Sequence, residues 1–95
     1  MDISRVRSSA LHDARFIGLY TDYDNAQVIL KLVDTTNEPV EICVENVLSM
    51  SMTRNEPWGK GSYVASSDIV SKDDCDLLTI ELNSGDVIAI SFNDR

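Results

Sequence analysis

One histidine occurs in the 95 residues, His12, and Asp13 follows it directly in the stretch SALHDARFIGLY. An imidazole beside a carboxylate is half of an acid–base device, in which the ring takes a proton from a nucleophile while the acid orients its second nitrogen. Two features argue against that use. Neighbouring residues on an extended chain point to opposite faces, and none of the serines stands in a GxSxG elbow or a comparable nucleophile setting. His12 is therefore expected to hydrogen-bond a backbone group where the chain enters its first strand, with no catalytic residue in the chain. The acids of DYDN, Asp22 to Asn25, sit at a spacing of two, as in calcium loops. The glycine and glutamate that such a loop needs at its sixth and twelfth positions are here Gln27 and Val33. A plain Asp/Asn turn is the expectation there, and a solvated acidic loop at KDDCD, Lys72 to Asp76. Cys43 and Cys75 lie in no CxxC or other metal-ligand spacing and are too few for a disulfide framework, so reduced thiols are expected. Neither metal nor cofactor is implied.

The stretch NEPWGKGSY, Asn55 to Tyr63, carries the only tryptophan together with two glycines and a tyrosine. Pro57, Gly59 and Gly61 break any period, so the segment reads as a long surface loop, and loops of that length in small domains often carry function. Trp58 and Tyr63 suit contact with a partner, because a rigid ring with a polar edge gains contact area at little entropic cost. The competing reading is that Trp58 folds back to plug one open end of the domain. The candidate partner contacts are Trp58, Tyr63 and Glu56 on this loop, with Asp22, Tyr23 and Asp24 in the DYDN turn.

The elements that hold these loops alternate in hydropathy with period two. In PVEICVEN, Val40, Ile42 and Val44 face one way while Glu41, Cys43 and Glu45 face the other. VLSMSM repeats the pattern, with Leu48, Met50 and Met52 expected inside and Ser49 and Ser51 outside. AQVILKLVD alternates with apolar residues on both faces, which predicts a central strand. LLTIELNSGDVIAISF predicts a hairpin with its turn at Asn83 to Asp86, where Gly85 supplies a positive φ. Its inward residues are expected to be Leu78, Ile80, Leu82, Ile88, Ile90 and Phe92. A further short strand is expected near Tyr63 to Val70. Only ISRVRSSAL has helical spacing, over a short N-terminal length. The expectation is one all-β, mainly antiparallel domain over residues 1–95, a sandwich or partly open barrel of six to eight strands with that short helix.

The composition is 43% apolar and 25% charged, which argues for a folded chain despite a net charge of −8. Residues 1–15 hold three arginines against two aspartates, whereas residues 16–53 hold one lysine against six acids. The acidic body repels phosphate backbones and attracts basic partners, so nucleic acid is disfavoured and a cationic protein favoured. No run approaches the roughly 18 apolar residues of a membrane helix, and the start lacks a signal-type apolar core, so a cytoplasmic location without membrane contact is expected.

Two resemblances carry further implications. LTIELNSGDVIAI resembles the start of Sm-like RNA-binding barrels in its strand, glycine–acid turn and second strand, but only a few residues follow, to Arg95, and RNA binding is not expected. His12-Asp13-Ala14, Trp58-Gly59 and the final hairpin resemble a loose group of small bacterial all-β proteins, some of them assigned as immunity proteins of toxin systems. That likeness implies no catalytic role for the His–Asp pair. It implies a non-enzymatic module covering a basic toxin, steered by charge and anchored by aromatic side chains. The alternative is a structural or homo-oligomerising domain, such as a homodimer joined by a strand edge or face.

Overall fold

The computed structural model describes residues 11–54 and 63–93. Within them the chain forms seven strands and no helix: β1 (Arg15–Asp22), β2 (Gln27–Val33), β3 (Pro39–Val44), β4 (Val47–Met52), β5 (Val64–Ser71), β6 (Asp76–Leu82) and β7 (Val87–Phe92). The proposed N-terminal helix and the central loop around Trp58 lie outside the described residues. All pairings are antiparallel and fall into two sheets, β1-β2-β3 and β4-β7-β6-β5. The first half of the chain thus makes one layer and the second half the other, and β2 is central, as its two-sided apolar pattern predicts.

Period-two patterning delivers one core between the layers. Val28, Leu30 and Leu32 of β2, Val40, Ile42 and Val44 of β3, Leu78, Ile80 and Leu82 of β6, and Ile88, Ile90 and Phe92 of β7 are all buried. Each such aliphatic side chain contributes about 1.5–3 kcal/mol relative to leaving it in water. A bulge at Ile17 shifts the register of β1, so that Phe16 opposite Leu32 and Leu19 opposite Leu30 both turn inward although three positions apart.

Turn chemistry sets the connections. Asp22 closes the β1–β2 turn by accepting from the Asn25 amide N–H at Oδ1 (3.3 Å) and from Asn25 Nδ2 at Oδ2 (2.8 Å). Asp34 Oδ1 accepts from the Thr36 N–H, the Thr36 hydroxyl and the Glu38 N–H in the β2–β3 turn, with Asn37 left-handed at φ 67. Gly85 takes φ 90 in the β6–β7 turn, as expected. Glu45 and Asn46 carry the chain from one sheet into the other, and Asn46 turns the corner with φ 56.

Two corners join the layers. At one, the Asp13 N–H donates to the Val64 carbonyl (2.9 Å), the Val64 N–H donates to the Ala14 carbonyl (2.8 Å), and Arg15 bridges Tyr63. At the other, the Val47 N–H donates to the Ala26 carbonyl (2.8 Å) and the Asn93 N–H to the Asn46 carbonyl (3.0 Å). The result is a sandwich pinned at two diagonal corners, intermediate between separate sheets and a closed barrel.

Three inward assignments, all on β4, change. Leu48 sits in the bulge of β4 and is 63% exposed. Met50 opposite Ile90 and Met52 opposite Ile88 do point to the core side, yet both remain exposed. β4 ends its sheet, and the apolar layer does not extend over it.

Candidate functional site

His12 and Asp13 occupy a turn, not an extended segment: Asp13 is left-handed at φ 67 and the Ala14 N–H donates back to the Leu11 carbonyl. The turn brings His12 Nε2 to 3.7 Å from Asp13 Oδ1, with the two side chains 63% and 70% exposed. The opposite-faces expectation therefore fails, because it presumed extended backbone. The ring is oriented from its other nitrogen, where Nδ1–H donates to the Ala65 carbonyl at 3.0 Å. This is the backbone hydrogen bond at the entry to the first strand that the sequence suggested. The 3.7 Å separation is too long for a hydrogen bond. Beside this turn lies a polar cleft of about 420 Å³ lined by Asp13, Arg15, Asp34, Thr35, Asn37 and Tyr63, with Val33. Asp34 is committed to its own turn, and His12 is not among the described residues that line the cleft.

Tyr63 is held at this corner through its backbone: its N–H donates to Asn83 Oδ1 (3.2 Å), and its carbonyl accepts from the Asn83 N–H (2.8 Å). The ring is exposed. Asp22, Tyr23 and Asp24 lie at the far end of β1, about 23 Å away for seven residue steps at the usual strand rise. The structure thus splits the candidate contacts into two patches and does not bring them together. Trp58 and Glu56 lie outside the described residues.

At the far end, Tyr23 is 96% exposed between the two carboxylates. Next to it a groove of about 340 Å³ separates the β1–β2 turn from the start of β4. Its lining includes Asp22, Tyr23, Ala26 and Val28 on one wall and Leu48 and Met50 on the other. The floor at Val28 is buried core, whereas the rim carries exposed apolar side chains beside acids. Leu48 and Met50 were not recognised as surface residues from the sequence. No signal in the segment marks them as such, since VLSMSM contains neither charge nor proline, unlike the usual solvent-facing edge.

The remaining donors do not converge. No group of three or more His, Cys, Asp or Glu side chains poised to hold a metal ion occurs among the described residues. Cys43 and Cys75 are free thiols, each half-buried. No helix among the described residues is long and apolar enough to cross a membrane.

No protein-family model matches the chain, and no curated protein matches it. Among solved structures, an uncharacterised protein from Neisseria gonorrhoeae superposes with a TM-score of 0.63 at 14% identity, over 86% of each chain. At that identity the likeness is one of fold: the two-layer β architecture also occurs in a bacterial protein.

Proposed function

We propose that this chain is a non-enzymatic module that binds a basic protein, with neutralisation of a toxin as an immunity protein the specific form of that role. The observation that carries the reading is the β1–β2 tip: Tyr23 stands almost wholly in solvent between Asp22 and Asp24, next to the exposed Leu48, on a chain of net charge −8. An apolar ring ringed by acids suits a cationic surface, since charge accelerates encounter and the ring supplies contact area once water is displaced. The proposed compartment is the cytoplasm, where thiols such as Cys43 and Cys75 stay reduced.

The test is affinity capture from the native host at low and high salt, with the Asp22→Asn/Asp24→Asn chain as a parallel bait. A basic protein retained at low salt by the parent and lost by the variant supports the reading. Relief of that protein's toxicity on co-expression would establish the immunity form. Recovery of no protein in either salt refutes it.

A second reading, a homo-oligomerising structural domain, draws on the outer face of the first sheet. There Tyr20, Ile29 and Cys43 form one transverse row, with Ile17 exposed on the same strand as Tyr20. Light scattering at micromolar concentration decides it, and a strict monomer removes it.

A further inference from the structure

Among the described residues β4 is a sheet edge: it pairs with β7 on one side and with no strand on the other. The Thr53 N–H donates to the Val87 carbonyl at 3.0 Å, which makes these two a hydrogen-bonded pair. In an antiparallel ladder such pairs alternate, so the backbone groups of Met52 and Met50 turn to the side away from β7. The Val47 N–H, given to Ala26, leaves the strand away from β7 as well. No other described residue pairs with the edge between them.

The other three edges are blunted. On β5 the Asp68 carboxylate accepts the N–H of its own neighbour Ile69 at 2.9 Å, occupying a donor that faces outward. β1 is bulged at Ile17 and tied to Tyr63, and β3 opens with Pro39 and carries Glu41. These are the devices by which edge strands avoid pairing. Val47–Met52 has no charged residue and no proline, and Leu48, Met50 and Met52 are exposed along it. The groove beside it gives an incoming strand a second wall, the β1–β2 turn.

We infer that β4 takes an extended, cationic segment of a partner protein as an added strand, main chain to main chain. Its apolar side chains cover Met50 and Met52, and its basic side chains meet Asp22, Asp24 and Glu45. Charge selects this occupant over a second copy of the chain: Asp22 lines the groove, Asp24 adjoins it and Glu45 closely precedes β4, so a second chain of net charge −8 would add like charge there. The inference rests on the basic-partner reading above and gives it a binding mode.

The experiment titrates the isotope-labelled full chain with acetyl-Lys-Val-Lys-Val-Lys-Val-amide. Parallel titrations use the same peptide N-methylated at alternate amides and a glutamate-for-lysine counterpart. The expected result is hydrogen-exchange protection of the Met50 and Met52 amides by the cationic peptide. Binding should weaken roughly tenfold on N-methylation and by a similar factor in Met50→Pro, each of which removes one or two interstrand hydrogen bonds. Proline at an outward-facing edge position leaves the ladder to β7 intact, and the N-methylated peptide tests the same bonds on the unaltered protein. Equal binding by the N-methylated peptide, or binding without protection at Met50 and Met52, overturns strand addition and leaves the basic-partner reading standing. Equal binding by the acidic counterpart overturns both. Protection that grows with protein concentration in the absence of peptide assigns the edge to a second copy and overturns the cationic occupant.

Discussion

Replacing Asp86 by alanine strikes the point where the β6–β7 turn is fastened to the end of β4. The carboxylate is 5% exposed, and both oxygens are engaged: Oδ1 accepts from the Thr53 hydroxyl at 3.1 Å and Oδ2 from the Ser84 hydroxyl at 3.0 Å. Thr53 in turn accepts the Val87 N–H at 2.9 Å through the same oxygen. Hydrogen bonds to a charged acceptor contribute about 1.5–3 kcal/mol each, so the pair sets an upper bound of about 3–6 kcal/mol. Thr53 is exposed and Ser84 half-buried, so both hydroxyls recover water in the variant and the expected loss falls to about 2–3 kcal/mol. A chain of this length has about 5–14 kcal/mol of total stability. At 4–8 °C per kcal/mol, Tm should drop by about 8–24 °C. Asp86→Asn keeps shape and one acceptor and should lose about 1 kcal/mol. Urea unfolding followed by far-ultraviolet circular dichroism measures both. Thr53→Val combined with Asp86→Ala should show a coupling of about 1 kcal/mol or more, because each side chain presupposes the other. An Asp86→Ala loss below about 0.5 kcal/mol, the range of an ordinary surface change, would refute the reasoning.

Leu30→Ala at the centre of the core should cost about 2–5 kcal/mol in the same unfolding assay, since Leu30 is fully buried and its neighbours come from both sheets. Gly85→Ala should cost about 1–2 kcal/mol through backbone strain alone, because φ is 90 and an added Cβ meets nothing within 4 Å. A variant as stable as the parent would mean that the turn changes its conformation. Asp68→Ala should change stability by less than about 0.5 kcal/mol. It should nevertheless raise concentration-dependent self-association in sedimentation, since the Ile69 N–H loses the acceptor that occupies it.

Strands whose one face is polar were readable from hydropathy alone. Val40, Ile42 and Val44 alternate with Glu41 and Glu45, and the β6–β7 hairpin carries its glycine where a positive φ is needed. The seven strands among the described residues fall within the expected six to eight. The same alternation misplaced Leu48, Met50 and Met52, because period two assigns a residue to a face but says nothing of what stands over that face. Whether β4 ends its sheet depends on pairings made far along the chain. The His12–Asp13 turn escaped notice for a local reason: Leu-His-Asp-Ala contains neither glycine nor proline, and the left-handed Asp13 is held by Val64, 51 positions away. Likewise the sequence names Tyr63 and the acids of the first turn as contacts without placing them relative to one another, and the length of β1 stands between them.

The division of the sheets by sequence halves bears on how the protein is made. β1, β2 and β3 can hairpin together as soon as they emerge from the ribosome, because each pairs with its immediate neighbour. Their apolar face, six side chains from Val28 to Val44, then awaits a lid that ends only at Phe92. At about 5–20 residues per second, translation leaves that face bare for roughly 2–10 s. A nascent chain of which only the residues up to about Arg54 have emerged from the ribosome would therefore present a three-stranded greasy sheet, which makes this the stage at which a holdase chaperone has most to bind.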